Sequence, residues 1–140
     1  MDHLVYMDKS SNELDNLINS TKDIILRGAT GRKLPYGRCK VGDVLYLANN
    51  NGDGLIRAKC LIKTVEFTDK LSVDESNQRV DEILDRVILT DKVLSRFRGK
   101  RYLSIVVVEN VVELPLQPFD KSEFGNMDDW LLIESIDNIT

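Results

Sequence analysis

The stretch IILRGATGRKLPYGRCKVGDVLYLANNNGDG, residues 24–54, opens apolar, turns basic and glycine-containing, and becomes apolar again. Between Arg27 and Lys40 it carries five cationic side chains (Arg27, Arg32, Lys33, Arg38 and Lys40) and no acid. The 140-residue chain as a whole is acidic, with a formal net charge of −4. The apolar flanks read as strands, 23–27 and 44–48, and the basic segment between them as a loop. NNNGDG is a turn whose Asn, Asp and Gly residues tolerate positive φ, which predicts a hairpin into a long strand over 55–67. Along that strand Ile56, Ala58, Cys60 and Ile62 share one face, while Val65 and Phe67 take the opposite parity. A one-residue slip is the signature of a bulge, and bulges bend strands into barrels.

Outward from this stretch, HLVYM (3–7) reads as a short strand. SSNELDNLINST follows as an amphipathic helix with Leu14, Leu17 and Ile18 on one face and a Ser10–Glu13 capping box. Residues 72–87 form a second helix, capped by Ser72 and Glu75, with an apolar stripe through Val80, Ile83, Leu84 and Val87. A short helix capped by Thr90 and stopped at Gly99 comes next. The segment 102–114 is a strand whose Ile105–Val108 core is apolar on both faces. Pro115 and Pro118 are expected to end it. The tail is acidic and holds the only tryptophan, Trp130, expected in the core because large aromatics gain most from burial. The pattern predicts one α+β domain, 1–140, with a mixed sheet curled into a partly open barrel and short peripheral helices.

No apolar run approaches the roughly 20 residues of a membrane span, and the N-terminus lacks a signal-peptide pattern. A soluble, cytoplasmic protein is expected. Cys39 and Cys60 are too few for a disulfide framework or a zinc site, and no metal or cofactor is expected. His3 is the one histidine, so a Ser-His-Asp or Cys-His set would need it beside a nucleophile. GATGRKL lacks the Lys-Ser/Thr ending of a P-loop. Gly42-Asp43 reads as a turn that launches a strand. Asp128 and Asp129 are adjacent, point apart on a regular element, and read as solvated charge. No catalytic residue is assigned.

The basic loop is the candidate site. Gly28, Gly31 and Gly37 permit close backbone approach. Arg27, Arg32, Lys33 and Arg38 can bind phosphate or carboxylate, and Tyr36 offers a stacking face. A second basic segment, RFRGKRY (96–102), holds four more cations, including Lys100 and Arg101, and no acid. The two segments hold nine of the nineteen Lys and Arg residues. If they meet at one end of the barrel, their fields add within a Debye length of about 8–10 Å.

The 24–48 segment, the polar hairpin and AKCLIKTVEF together resemble the ASCH domain of the PUA-like superfamily, as do GKRYLSIVVVENVVEL and GNMDDW. The resemblance implies a PUA-like barrel and binding of RNA or a nucleotide-like anionic ligand. In the loop motif of that family, Gly28 and Arg38 match the glycine and arginine places and Arg32 or Lys33 the lysine place. The motif's glutamate has no counterpart in the loop. Some members are amidohydrolases of acetylated cytidine with a lysine, threonine and glutamate set, which Thr30 and Lys33 match in part. The rival reading is therefore a small amidohydrolase acting on a modified nucleoside, with Lys33 as base or nucleophile, favoured if an acid such as Glu66 or Asp43 stands beside Lys33.

Overall fold

The computed structural model describes residues 1–122 and 128–140. Part of GNMDDW and the tail acid Glu123 lie outside the described residues. The described residues contain six strands: β1 (Asp2–Met7), β2 (Ile24–Ala29), β3 (Val44–Asn49), β4 (Leu55–Phe67), β5 (Tyr102–Pro118) and β6 (Trp130–Glu134). They form one mixed sheet in the order β2-β5-β4-β3-β1-β6, curled into a half-barrel. Only the β1–β3 pair is parallel; the other neighbours run antiparallel. Helices α1 (Glu13–Ile18), α2 (Val73–Val87) and α3 (Asp91–Leu94) lie at the periphery. The bend is where the parity slip places it: the β4–β5 register shifts between Ile62 and Thr64, and again at two earlier points along β4. Each shift adds twist and turns the strand inward.

Alternation on β2 and β5 sorts their side chains between two cores. Ile25, Val106 and Val108 join Trp130, Leu45, Cys60 and the α1 residues Leu14 and Leu17. Ile24, Leu26, Leu103 and Ile105 pack instead on Val80, Ile83 and Val87 of α2. β5 is thus buried on both faces along its first half, as its unbroken apolar run requires.

Four local expectations change. The Ser10–Glu13 capping box does not form: Asn12 is the N-cap, in the left-handed region at φ 51°, and gives no side-chain cap. The turn is organised by Asp8, which accepts from Ser10 Oγ at 2.7 Å and from the Ser11 amide at 2.8 Å. Glu13 is drawn instead into the interior by two cations, described below. Leu84 is exposed, and Ser76 takes its place on the buried face of α2. β5 continues through Pro115 to Pro118; β2 pairs only with its first six residues, so beyond them its outer edge has no neighbour that needs the missing N–H. Finally, the tail contributes an edge strand, β6, whose five residues bury Trp130, Leu131 and Ile133. The Ser72–Glu75 capping box and the Thr90 cap both form.

His3 is sealed in the core beside Trp130. Trp130 Nε1 can only donate, and it donates to His3 Nδ1 at 3.1 Å. The proton of the neutral ring therefore sits on Nε2, which donates to Asp43 Oδ2 at 2.9 Å. Asp43 Oδ2 also accepts from the Lys40 amide, holding the turn that starts β3. Burial pushes the His3 pKa down, outweighing the pull of Asp43 in the other direction. The unfolded chain takes up the proton near pH 6.5, the folded chain lower. Stability should therefore be fully present above about pH 7 and fall as pH drops below about 6.5, with a slope of at most ~1.4 kcal/mol per pH unit. Denaturant titrations between pH 7.5 and 5.5 check this; a stability that rises on acidification through that window contradicts the assigned tautomer.

Candidate anion-binding cleft

The pairing of β2 with β5 brings the two basic segments together. Ala29, the last residue of β2, lies opposite Tyr102, the first of β5. The loop that leaves β2 and the turn that enters β5 therefore emerge side by side. Between them is a cleft of about 360 Å³. β2 supplies Arg27, Gly28 and Ala29; the loop supplies Lys33 and Leu34; the turn after α3 supplies Arg96 and Phe97; β5 supplies Tyr102 and Ser104; and the tail supplies Asp129.

Arg27 has the parity of Ile25, so it points toward α1 rather than to solvent. Its side chain is only 7% exposed. Nη1 donates to the Leu26 carbonyl at 2.7 Å and Nη2 to the Tyr6 carbonyl at 3.0 Å. Glu13 Oε1 lies 3.3 Å from Nη2, Asp129 Oδ2 lies 3.0 Å from Nε, and the guanidinium sits 5.7 Å from the Phe97 ring centre. Glu13 also takes Lys22 Nζ at 2.9 Å, with neither of those side chains exposed. Burial opposes ionisation of Glu13, but Arg27 and Lys22 outweigh it and hold its carboxyl below the usual range. Burial likewise works against the Arg27 charge, and Glu13 with Asp129 more than compensates. Arg27 is thus a fixed, permanently charged floor.

Gly28 faces the opposite side. A Cβ there would lie 2.9 Å from Leu103 Cδ2 and 3.3 Å from the Phe97 carbonyl oxygen. Its missing side chain lets the α3–β5 turn close onto β2. The loop beyond it is anchored by the buried Pro35 and Cys39, and Gly37 turns it at φ +67°. Lys33 remains 59% exposed at the cleft mouth, its Nζ 3.2 Å from Asp128 Oδ1. Arg32 reaches over the Tyr102 ring, 5.4 Å from its centre.

Of the residues singled out from the sequence, Arg27, Gly28 and Lys33 line the cleft; Arg32 does not line it but lies over the Tyr102 ring, which does. The Tyr36 ring is packed against Phe67 and edge-on against Tyr102, 5.3 and 5.4 Å between centres, and its hydroxyl donates to the Thr68 carbonyl. Tyr36 therefore braces Tyr102, which is the aromatic face on the cleft wall. Arg38, Lys100 and Arg101 do not line the cleft. Sequence reading did not anticipate the parts played by Phe97, Tyr102 and Glu13. Nor did it anticipate Asp128 and Asp129, which turn toward Lys33 and Arg27 rather than standing as solvated charge. No ion pair among the described residues involves Arg32 or Arg96. Nor does any group of three His, Cys, Asp or Glu among them suit a metal ion.

Three solved structures share this architecture. A tyrosine-to-phenylalanine variant of the ASCH protein from Zymomonas mobilis superposes with a TM-score of 0.72 over 98% of this chain and 93% of that one, at 8% identity. The ASCH structure from the same organism gives 0.69 over 94% and 87%, also at 8% identity. A serine-to-alanine variant gives 0.63 over 98% and 91%, at 9% identity. No family model and no curated protein matches the chain. The chain shares the fold of these ASCH structures, and at these identities the likeness extends to the fold alone.

Proposed function

We propose that the cleft binds single-stranded RNA or a nucleotide-like anion. The observation that carries this reading is the convergence of Arg27, Lys33 and Arg96 from three separate segments on one hollow beside the Tyr102 ring. Arg32 and Arg96 meet phosphate, Lys33 adds a third contact at the mouth, and a base stacks on Tyr102. Arg27 supplies field from below rather than a contact, because it is buried, its Nη donors are taken and its Nε lies against Asp129. The net acidity of the chain suppresses loose binding elsewhere on the surface. Among the described residues no helix is long and apolar enough to cross a membrane. A cytoplasmic setting belongs to the same reading, and the two free cysteines suit a reducing compartment.

The hydrolase reading has no support in the surroundings of Lys33. Glu66 is held by Arg79 and Asp43 by His3. Lys33 is solvated and salt-bridged to Asp128, whereas a lysine nucleophile or base needs desolvation. Burial pushes both cysteine thiols up to about 12, so neither offers a thiolate.

The test is a titration of a labelled single-stranded RNA at several salt concentrations. Replacing Arg32 and Arg96 together by alanine should weaken binding by on the order of tenfold or more. It should also flatten the slope of log affinity against log salt by about 1.4, at ~0.7 per phosphate contact. Tyr102→Leu should instead lose about 1–3 kcal/mol with the slope unchanged. Indifference of both quantities to the arginine pair would remove the cleft as the binding site.

A further inference from the structure

The cleft brings its own counter-anions. Asp128 Oδ1 lies 3.2 Å from Lys33 Nζ, and Asp129 Oδ2 lies 3.0 Å from Arg27 Nε. Neighbouring residues on a straight strand would send these carboxylates to opposite sides. Here they precede β6, where the chain bends, and the Asp129 carbonyl is tied to the Tyr6 amide at 2.8 Å. Two acids from a distant segment thus meet two cations of one small hollow, while Arg96 in that hollow and Arg32 over the Tyr102 ring form no ion pair among the described residues.

The two pairs differ in kind. Arg27 is buried, and Asp129 helps to neutralise a floor that holds two cations, Lys22 and Arg27, against the single carboxylate of Glu13. Removing Asp129 would leave that charge uncompensated. Lys33 is 59% and Asp128 27% exposed, and a surface pair of this type contributes little to stability and exchanges readily. We propose that Asp128 is a built-in competitor for the cleft: the ligand's phosphate takes Lys33 by exchange with the Asp128 carboxylate, while Asp129 stays on Arg27. This rests on the reading that the cleft binds an RNA or nucleotide-like anion. Asp128 then sets how strongly anionic a ligand must be to enter, and it lowers the salt sensitivity of binding. When Lys33 moves to the phosphate it releases a cation from the RNA, and the freed Asp128 carboxylate takes one up, so the exchange adds little to the net ion release.

The test uses the full chain and a labelled short single-stranded oligouridylate at several salt concentrations. Asp128→Asn should bind about three- to fivefold more tightly at low salt, the scale of one surface ion pair. Its slope should steepen by up to about 0.7, because no freed carboxylate takes up a cation to offset the one that the Lys33 contact releases from the RNA. In Asp128→Asn/Lys33→Ala both gains should vanish. If the double variant keeps the gain, relief of repulsion between the Asp128 carboxylate and the ligand explains it without Lys33, and the exchange is overturned. Wild-type binding with Asp128→Asn unchanged in affinity and slope overturns the exchange and leaves the binding reading standing. If neither protein binds the oligonucleotide at low salt, both fall.

Discussion

Glu13→Gln should cost about 3–5 kcal/mol of stability, the range for removing one partner of a buried ion pair. The substitution keeps the size of the side chain and removes only its charge. Lys22, whose amine has no exposure, would then have no ion-pair partner among the described residues and only the field of Asp8, and Arg27 would keep only Asp129. The Asp8 amide, which donates to Glu13 Oε1 at 3.0 Å, could still find the amide oxygen, so the loss reports charge rather than the turn. Urea denaturation should show a lower midpoint at unchanged slope. The paired change Glu13→Gln/Lys22→Met should recover part of the loss, since it removes the buried cation that Glu13→Gln leaves unpaired while Arg27 still lacks Glu13. A single variant within about 0.5 kcal/mol of wild type would mean that the Lys22 amine is neutral in the fold.

Trp130→Ala should be comparably severe, at about 3–5 kcal/mol. The indole is fully buried where β6 meets β1, opposite Val5. Its loss leaves a cavity in the main core and also orphans His3 Nδ1. Trp130→Phe separates the two terms. It restores much of the volume and leaves the unpaired nitrogen, so a residual cost of about 1–3 kcal/mol is expected. If Phe is as costly as Ala, packing alone is not what Trp130 supplies. If Phe is neutral, the bond to His3 contributes nothing. Because Asp129 precedes Trp130, loosening this anchor should also disturb the cleft wall.

How much of this was legible differs by element. The barrel was visible because the parity slip between Ile62 and Val65 is a purely local signal, and the register of β4 against β5 breaks there. The two-sided burial of β5 followed from four consecutive apolar residues. β6 was hidden because WLLIE is short and follows an acidic run; its strand character comes from β1, which offers a free edge. Glu13 misled for a related reason. Its spacing from Ser10 fits a capping box, but the interior cations Lys22 and Arg27, nine and fourteen residues on, compete for the same carboxylate and win. For the cleft, composition located the two basic segments, and antiparallel pairing of β2 with β5 joined them. Alternation could have separated Arg27, on the inward parity of Ile25, from the solvent-facing Arg32 and Lys33. Tyr36 and Tyr102 could not be told apart locally, since which ring faces the hollow depends on Phe67, from the far end of β4. Asp128 and Asp129 were placed by tertiary structure alone.

The basic loop in an acidic chain thereby acquires a physical account. The cations of the cleft are organised in depth. Arg27 is fixed and neutralised from within, Lys33 is neutralised by an exchangeable side chain, and Arg32 and Arg96 carry the accessible charge. The cleft that results is small and walled by one tyrosine. Such a geometry suits a single nucleotide unit of a strand rather than a duplex, whose bases are stacked out of reach.

The most direct test of the binding reading is to locate a short single-stranded RNA on the protein by following backbone amide resonances during titration. The account predicts that the largest shifts fall on Gly28, Ala29, Lys33, Arg96, Phe97 and Tyr102, and that they weaken together as salt is raised. Shifts centred instead on the outer face of β4, around Lys59 and Lys63, or a spectrum unmoved at low salt, would contradict it.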